Sequence, residues 1–193
     1  MGRKPHFDHQ QFLDAALGLL GRDGPRAVTI QAVAAGIAAP IGSVYHRFPS
    51  RDVLLAELWL RTVSRFQSGF LAALARDDGP AAALHTPRWI RRHLAEGKVL
   101  LLYRRDELVL GPWPEEVRTR ALELAAELTN GLQEFIRRRG RRADRAAVER
   151  LVFALIDVPY GAVRRRLEQD TDLPKYLDDF IIEAYRAVMG EAT

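Results

Sequence analysis

The chain has 193 residues, 48% of them hydrophobic and 28% charged, enough to bury a sizeable core as one large or two small domains. It has no cysteine, which excludes disulfides, thiolate zinc sites and a cysteine nucleophile and fits a reducing cytoplasm. The net charge of +4 is unevenly placed: residues 1–51 hold six Lys or Arg against three Asp or Glu, and the remainder holds 23 against 22.

No apolar run approaches the ~20 residues needed to cross a bilayer, so no membrane partner is expected. Arg3 and Lys4 are not followed by an apolar stretch, so the N-terminus does not read as a secretory signal. Residues 1–7 read as an arm whose Arg3 and Lys4 can reach phosphates. Asp8 followed by Gln11 forms a capping-box pattern and predicts a helix start. Phe12, Ala15, Ala16, Leu19 and Leu20 recur at helical spacing, and Leu13 and Leu17 extend that stripe. Gly21, Gly24 and Pro25 end the helix.

The segment TIQAVAAGIAAPIGSVYHRFPSR, residues 29–51, predicts two short helices around a tight turn, with a third starting just after. Thr29 is placed to accept from the free amides of the first of them. Ile30, Val33 and Ala34 are its apolar face, and residues 36–39 are too small to continue an amphipathic helix. Pro40 suits the start of the next, since its missing amide is unpaired there anyway. Val44 and Phe48 are its buried side. Ile41, Gly42, Ser43, Tyr45, His46 and Arg47 are left outside, small and hydrogen-bonding groups suited to a DNA major groove.

Ser50 then caps a long helix over 51–76 with Asp52 in its first turn. It is apolar on more than one side, which predicts burial between two layers. The run of Asp77, Asp78, Gly79 and Pro80 breaks the chain. A helix is predicted over 81–95, split at Pro87 and ended by Gly97, and another over 98–110. A long helix over 115–139 stops at Gly140. Asp144 caps the next, which Pro159 should kink. Leu173 and Pro174 open the last, with Leu177, Phe180, Ile181, Ala184 and Val188 as its core stripe and Tyr176, Ile182, Tyr185 and Met189 on its flanks. The last two helices carry more apolar surface than one small domain needs, which predicts a subunit interface. The arginine runs at 137–142 and 164–166 lie near helix C-termini, where cations oppose the helix dipole.

The 29–51 segment resembles the DNA-binding domain of TetR-family transcriptional regulators. Thr29, the IAAP turn (37–40), GSVY (42–45), His46, RF (47–48) and SR (50–51) stand where that family has Thr, an Ala-Gly-Val-Ser-like turn, Gly-Thr-Leu-Tyr, a variable residue, His-Phe and a Ser-Lys-like helix start. The wording APxGSxYHRFxSRDxLL is similar to a recurring variant within the family. The match covers roughly residues 8–65. Two positions depart from it. Ala38 stands where Gly is usual, at a cost of about 1 kcal/mol if the backbone has positive φ. Pro40 replaces a Ser cap.

The resemblance implies an all-α fold of about nine helices. A three-helix helix-turn-helix head (1–50) is joined by the long helix (51–76) to a C-terminal ligand-binding and dimerisation domain (51–193). It implies a cytoplasmic homodimer, paired through its last two helices on a palindromic DNA operator and released by a small-molecule effector. No cofactor or metal is expected. By analogy, Arg3, Lys4, Thr29, Tyr45, His46 and Arg51 contact phosphates. Pro40, Ile41, Ser43 and Arg47 read bases, and Gly42 allows close approach. Trp89, His93, Tyr103, Trp113, Phe153 and Tyr160 are the candidate effector-lining groups. The competing readings are an all-α ligand carrier or enzyme, and an adaptor dimer whose head does not bind DNA. No metal-ligand spacing, phosphate loop or nucleophile motif supports an enzyme.

Overall fold

In the computed structural model the described residues are 7–103 and 112–190. The expected contacts of Arg3 and Lys4, and most of the expected helix over 98–110, lie outside them. The chain is all-α: an N-terminal helix-turn-helix bundle is joined by a long helix to a C-terminal multi-helix domain. In chain order the helices are α1 (His9–Asp23), α2 (Ile30–Gly36), α3 (Ile41–Tyr45), α4 (Arg51–Ala75), α5 (Gly79–Ala83), α6 (His85–Arg92), α7 (Leu94–Val99), α8 (Glu115–Arg138), α9 (Arg145–Val152), α10 (Val158–Glu168) and α11 (Tyr176–Met189). A 3-10 turn, Pro25–Ala27, precedes α2, and a π-helical turn, Phe153–Asp157, separates α9 from α10.

Packing divides the chain into two compact units, residues 1–62 with 94–121 and residues 63–93 with 122–193. In the first, the capping box forms as read: Asp8 accepts from the Gln11 amide at 2.8 Å, and the Asp8 amide donates to Gln11 at 2.9 Å. Thr29 caps α2 by accepting from the Ala32 amide at 3.0 Å. Ser50 accepts from the Val53 amide at 3.2 Å and so caps α4. Phe12, Leu13, Ala16, Leu20, Val33, Val44, Phe48 and Leu54 form the buried core of the head. Phe12 meets Phe48 edge to face at 6.2 Å.

The turn between α2 and α3 takes the conformation that the Ala38 substitution puts under strain. Ala38 has φ 53°, in the left-handed region. Its amide donates to Ala35 and that of Ala39 to Ala34, the paired bonds of a Schellman ending. Glycine adopts this backbone freely and alanine does not. Ala38→Gly is therefore expected to raise stability by a few tenths to about 1 kcal/mol, the relief of strain being partly offset by a more flexible unfolded chain. A urea melt checks it, and a lower midpoint for the glycine variant refutes it.

In the second unit Phe70, Leu74, Leu84, Leu132, Phe135, Leu151, Leu155, Ile181 and Tyr185 are buried together. Gly79 lies against Tyr185 so closely that a Cβ there would overlap the phenol oxygen. Buried Gln67 of α4 donates to the Leu124 carbonyl of α8 at 2.8 Å. Arg91 of α6 donates to the Leu173 and Pro174 carbonyls and to both carboxylate oxygens of Asp178, which fixes the start of α11. The arginine runs serve the chain itself. Arg138 donates to the Ala75 carbonyl at the end of α4, Arg139 to Asp77, and Arg164 to Glu168.

Four local expectations are corrected. The 81–95 helix divides at Leu84, not Pro87; Pro87 sits in the first turn of α6, where no amide is needed. Gly97 lies inside α7, because the chain has already left helical geometry at His93 (φ −135°, ψ 57°). No helix starts at 98. Beyond Val99 the amides of Leu101 and Leu102 bond three residues back, and the chain unwinds into a turn. In α11 the buried stripe is Leu177, Ile181 and Tyr185, while Phe180 is 58% exposed and Tyr176 50%. The interruption ahead of Pro159 is a π turn, a form associated with a displaced hydrogen-bond ladder.

Candidate nucleic-acid interface

The second helix of the helix-turn-helix is set by two anchors. Val44 and Phe48 are fully buried, one turn apart, and fix which way α3 faces. The same helical period then turns Ile41 and Tyr45 outward together, at 44% and 49% exposure. Gly42 and His46 are exposed beside them, Pro40 is exposed at the cap, and Ser43 is half-buried. An exposed isoleucine and tyrosine, separated by backbone without a bulky side chain, form a convex ridge with apolar reach and a phenol hydroxyl. Such a ridge can enter a major groove, touch a thymine methyl, and donate to a phosphate. Pro40 caps α3 without a side-chain bond, so no hydroxyl is supplied there.

Two of the expected contact residues are engaged within the protein. The Arg51 guanidinium donates to the Val28 and Pro25 carbonyls, each at 2.6 Å, and ties α4 to the 3-10 turn before α2. Arg47 donates to the Ser43 carbonyl at 3.2 Å and the Phe7 carbonyl at 2.6 Å, and lies over the Phe12 ring. Both therefore hold the head together as it stands. Thr29 uses an oxygen lone pair on its own helix, which leaves its hydroxyl hydrogen for a phosphate. Arg26 and Gln31 are exposed on either side of Thr29. Sequence reasoning passed over them, although charged or amide residues flanking an N-cap were a usable signal.

Residues 12–58 match the family model described as bacterial regulatory proteins, tetR family, a span that holds α2, the turn and α3 entire. The likeness to the TetR family by sequence is carried by this head. Solved structures extend the likeness to the fold of the whole chain. The fatty acid degradation regulator FadR of Bacillus halodurans aligns over 96% of both chains with a TM-score of 0.68 at 14% identity. The FadR of Bacillus subtilis in complex with stearoyl-CoA aligns over 96% of this chain and 100% of its own, with a TM-score of 0.68 at 13% identity. A TetR-family regulator from Streptomyces coelicolor aligns over 95% and 98%, with a TM-score of 0.57 at 22% identity. No curated protein sequence matches the chain.

The effector-lining candidates do not all gather. In the second unit Trp89 is buried, packs edge to face on Phe66 at 5.3 Å, and has His93 at 4.8 Å. His85 joins them: its Nε2–H donates to the Phe66 carbonyl at 2.7 Å, and burial pushes its imidazole below the usual range. Phe66 and His85 were missed, although Phe66 and Phe70 lie one turn apart on α4. Tyr160 is half-buried in the same unit. Phe153 is 50% exposed on α9's continuation and does not line an interior. Tyr103 and Trp113 belong to the first unit, paired edge to face at 5.6 Å. A groove of about 510 Å³ between α1 and α7 is lined by Leu17, Leu94 and Lys98 among others, and by none of the six candidates.

Proposed function

We propose that this chain is a homodimeric, sequence-specific transcriptional regulator, in the repressing mode, that is released from its operator by a small molecule in the cytoplasm. Ile41 and Tyr45 presented outward on α3, over buried Val44 and Phe48, carry the reading. Tyr45, His46, Thr29 and the arm with Arg3 and Lys4 supply phosphate contacts. Pro40, Ile41 and Ser43 face base edges, with Gly42 allowing approach. The match of the head to a regulatory family weighs against the enzyme and carrier alternatives, and the outward ridge weighs against a head that ignores DNA. No helix among the described residues is long and apolar enough to cross a membrane.

Dimerisation through the last two helices is supported by the exposed Tyr176 and Phe180 of α11 and by Phe153 just before α10. Two heads related by a two-fold axis suit half-sites about one helical turn apart. The 51–193 segment is the ligand-responsive part of this reading, with Trp89, His93 and Tyr160 its nearest candidates. Stearoyl-CoA is bound by one structural relative, and imidazole and proflavin by the multidrug binding protein EbrR, so the shared fold does not select an effector class. An effector acts only through its differential affinity for the two head spacings, and tenfold release needs about 1.4 kcal/mol of preference.

Gel shifts on duplexes selected from a random pool test the interface. Tyr45→Ala is expected to weaken binding to every sequence alike, as the loss of a phosphate contact does. Ile41→Ala is expected to relax preference at one base pair by roughly 1–3 kcal/mol. Affinity should fall steeply with added salt. Unchanged affinity and selectivity in both variants would remove α3 from the interface.

A further inference from the structure

Glu57 of α4 and His9, the first residue of α1, meet within the head. Glu57 Oε2 lies 2.7 Å from His9 Nε2. The His9 ring packs on buried Phe48 at 4.7 Å. Phe48 lies three residues beyond the end of α3 and is one of the anchors that orient it, so the His9 ring packs directly on an anchor of the reading helix. Arg47 links the two, holding the Ser43 carbonyl of α3 and the Phe7 carbonyl two residues before His9. The charged groups facing the pair are few. Asp8 neighbours His9, Arg47 and Arg61 act on it, and Arg61 is itself held by Asp14 at 2.7 Å and Gln10 at 3.0 Å. From α8, Glu116 acts on Glu57.

These neighbours oppose the usual charges of both groups. Burial, then the Glu116 carboxylate, pushes the Glu57 carboxyl up to about 7. Burial, then Arg47 and Arg61, lowers the His9 imidazole against a weaker opposing effect of Asp8. The pair therefore carries one negative charge in alkaline solution and becomes neutral by gaining a single proton near neutrality. Phosphates brought to the head repel the negative form and favour the neutral one.

Resting on the DNA-binding reading above, we propose that the Glu57–His9 pair is a proton-linked clasp: contact of the head with a polyanionic duplex draws a proton onto the pair, so duplex affinity rises as the medium becomes more acidic. Reciprocity requires it, since whatever raises proton affinity on binding must raise duplex affinity on protonation.

The test uses the full-length chain and a fluorescein-labelled 30-base-pair duplex of mixed sequence at low salt, titrated between pH 6 and pH 8.5. Wild-type affinity is expected to rise about three- to tenfold from pH 8 to pH 6. Glu57→Gln, which keeps the shape of the protonated carboxyl, is expected to bind more tightly than wild type at pH 8 and to flatten the profile. Groups common to both proteins cancel in the comparison. Glu116→Gln should shift the wild-type midpoint toward acid. Parallel profiles for wild type and both variants overturn the proposal. A melting series in the absence of DNA separates the two readings. The unfolded carboxyl titrates near 4.5 and the folded one near 7, so the proton's contribution to stability is complete below the first and lost as pH rises through the second. Glu57→Gln should thus raise Tm at pH 8 and not at pH 4.5. No duplex binding at any pH, with that Tm difference present, overturns the DNA-binding reading and the DNA linkage with it. Duplex binding without the Tm difference overturns the clasp alone.

Discussion

Phe48→Ala is expected to destabilise the head by about 3–5 kcal/mol, the usual cost of deleting a fully buried phenylalanine. Phe48 stacks on His9, meets Phe12 edge to face, and is one of the two anchors that orient α3. A small domain has about 5–15 kcal/mol in reserve, so this loss is a large fraction of it. Duplex binding should disappear at temperatures where the helical signal of the remaining chain persists. Circular dichroism melts beside gel shifts read the two effects separately. A variant that melts like wild type and still binds would show that α3 is oriented by something other than this anchor.

Phe180→Asp is the second large effect. Phe180 is 58% exposed on α11 and packs only on its own helix neighbour Tyr176, at 5.6 Å, among the ring contacts of the described residues. If α11 is the dimer face, a two-fold axis removes two copies of the ring at once. At about 2 kcal/mol for each buried ring the interface weakens by about 4 kcal/mol, or roughly a thousandfold in Kd, before any repulsion between the carboxylates. Analytical ultracentrifugation should then find monomers at micromolar concentration, while the melting temperature of the monomer fold changes little, because the side chain is already in water. Dimers that survive the substitution would exclude this face from the interface. Operator affinity should fall with dimerisation, since one head alone reads one half-site.

Much of the head was legible from residues 8–58 because its signals are local. A capping box, an N-cap threonine, a proline at a helix start and apolar residues at i and i+4 act over one turn of chain. Each therefore reads the same in the sequence and in the fold. Ala38 shows the limit case: the family resemblance marked the position as one where glycine is usual, and the backbone there takes φ 53°. The roles of Arg47 and Arg51 were not legible. Their partners, the carbonyls of Phe7, Pro25 and Val28, lie 23 to 40 residues away, and only folding brings them within 2.6 Å.

The same division separates the rest of the chain. Sequence alone determined an all-α chain with a short helix from Pro40 to about His46 and its outward residues, because helical period converts spacing directly into faces. Tertiary structure decided which apolar stripe of α11 is core and which is open, exchanging Phe180 for Tyr185, because a helix apolar on several sides carries no internal mark of the side its neighbours will cover. It also decided the meeting of His9 with Glu57, 48 residues apart, whose chemistry depends on folding to draw both groups partly out of water.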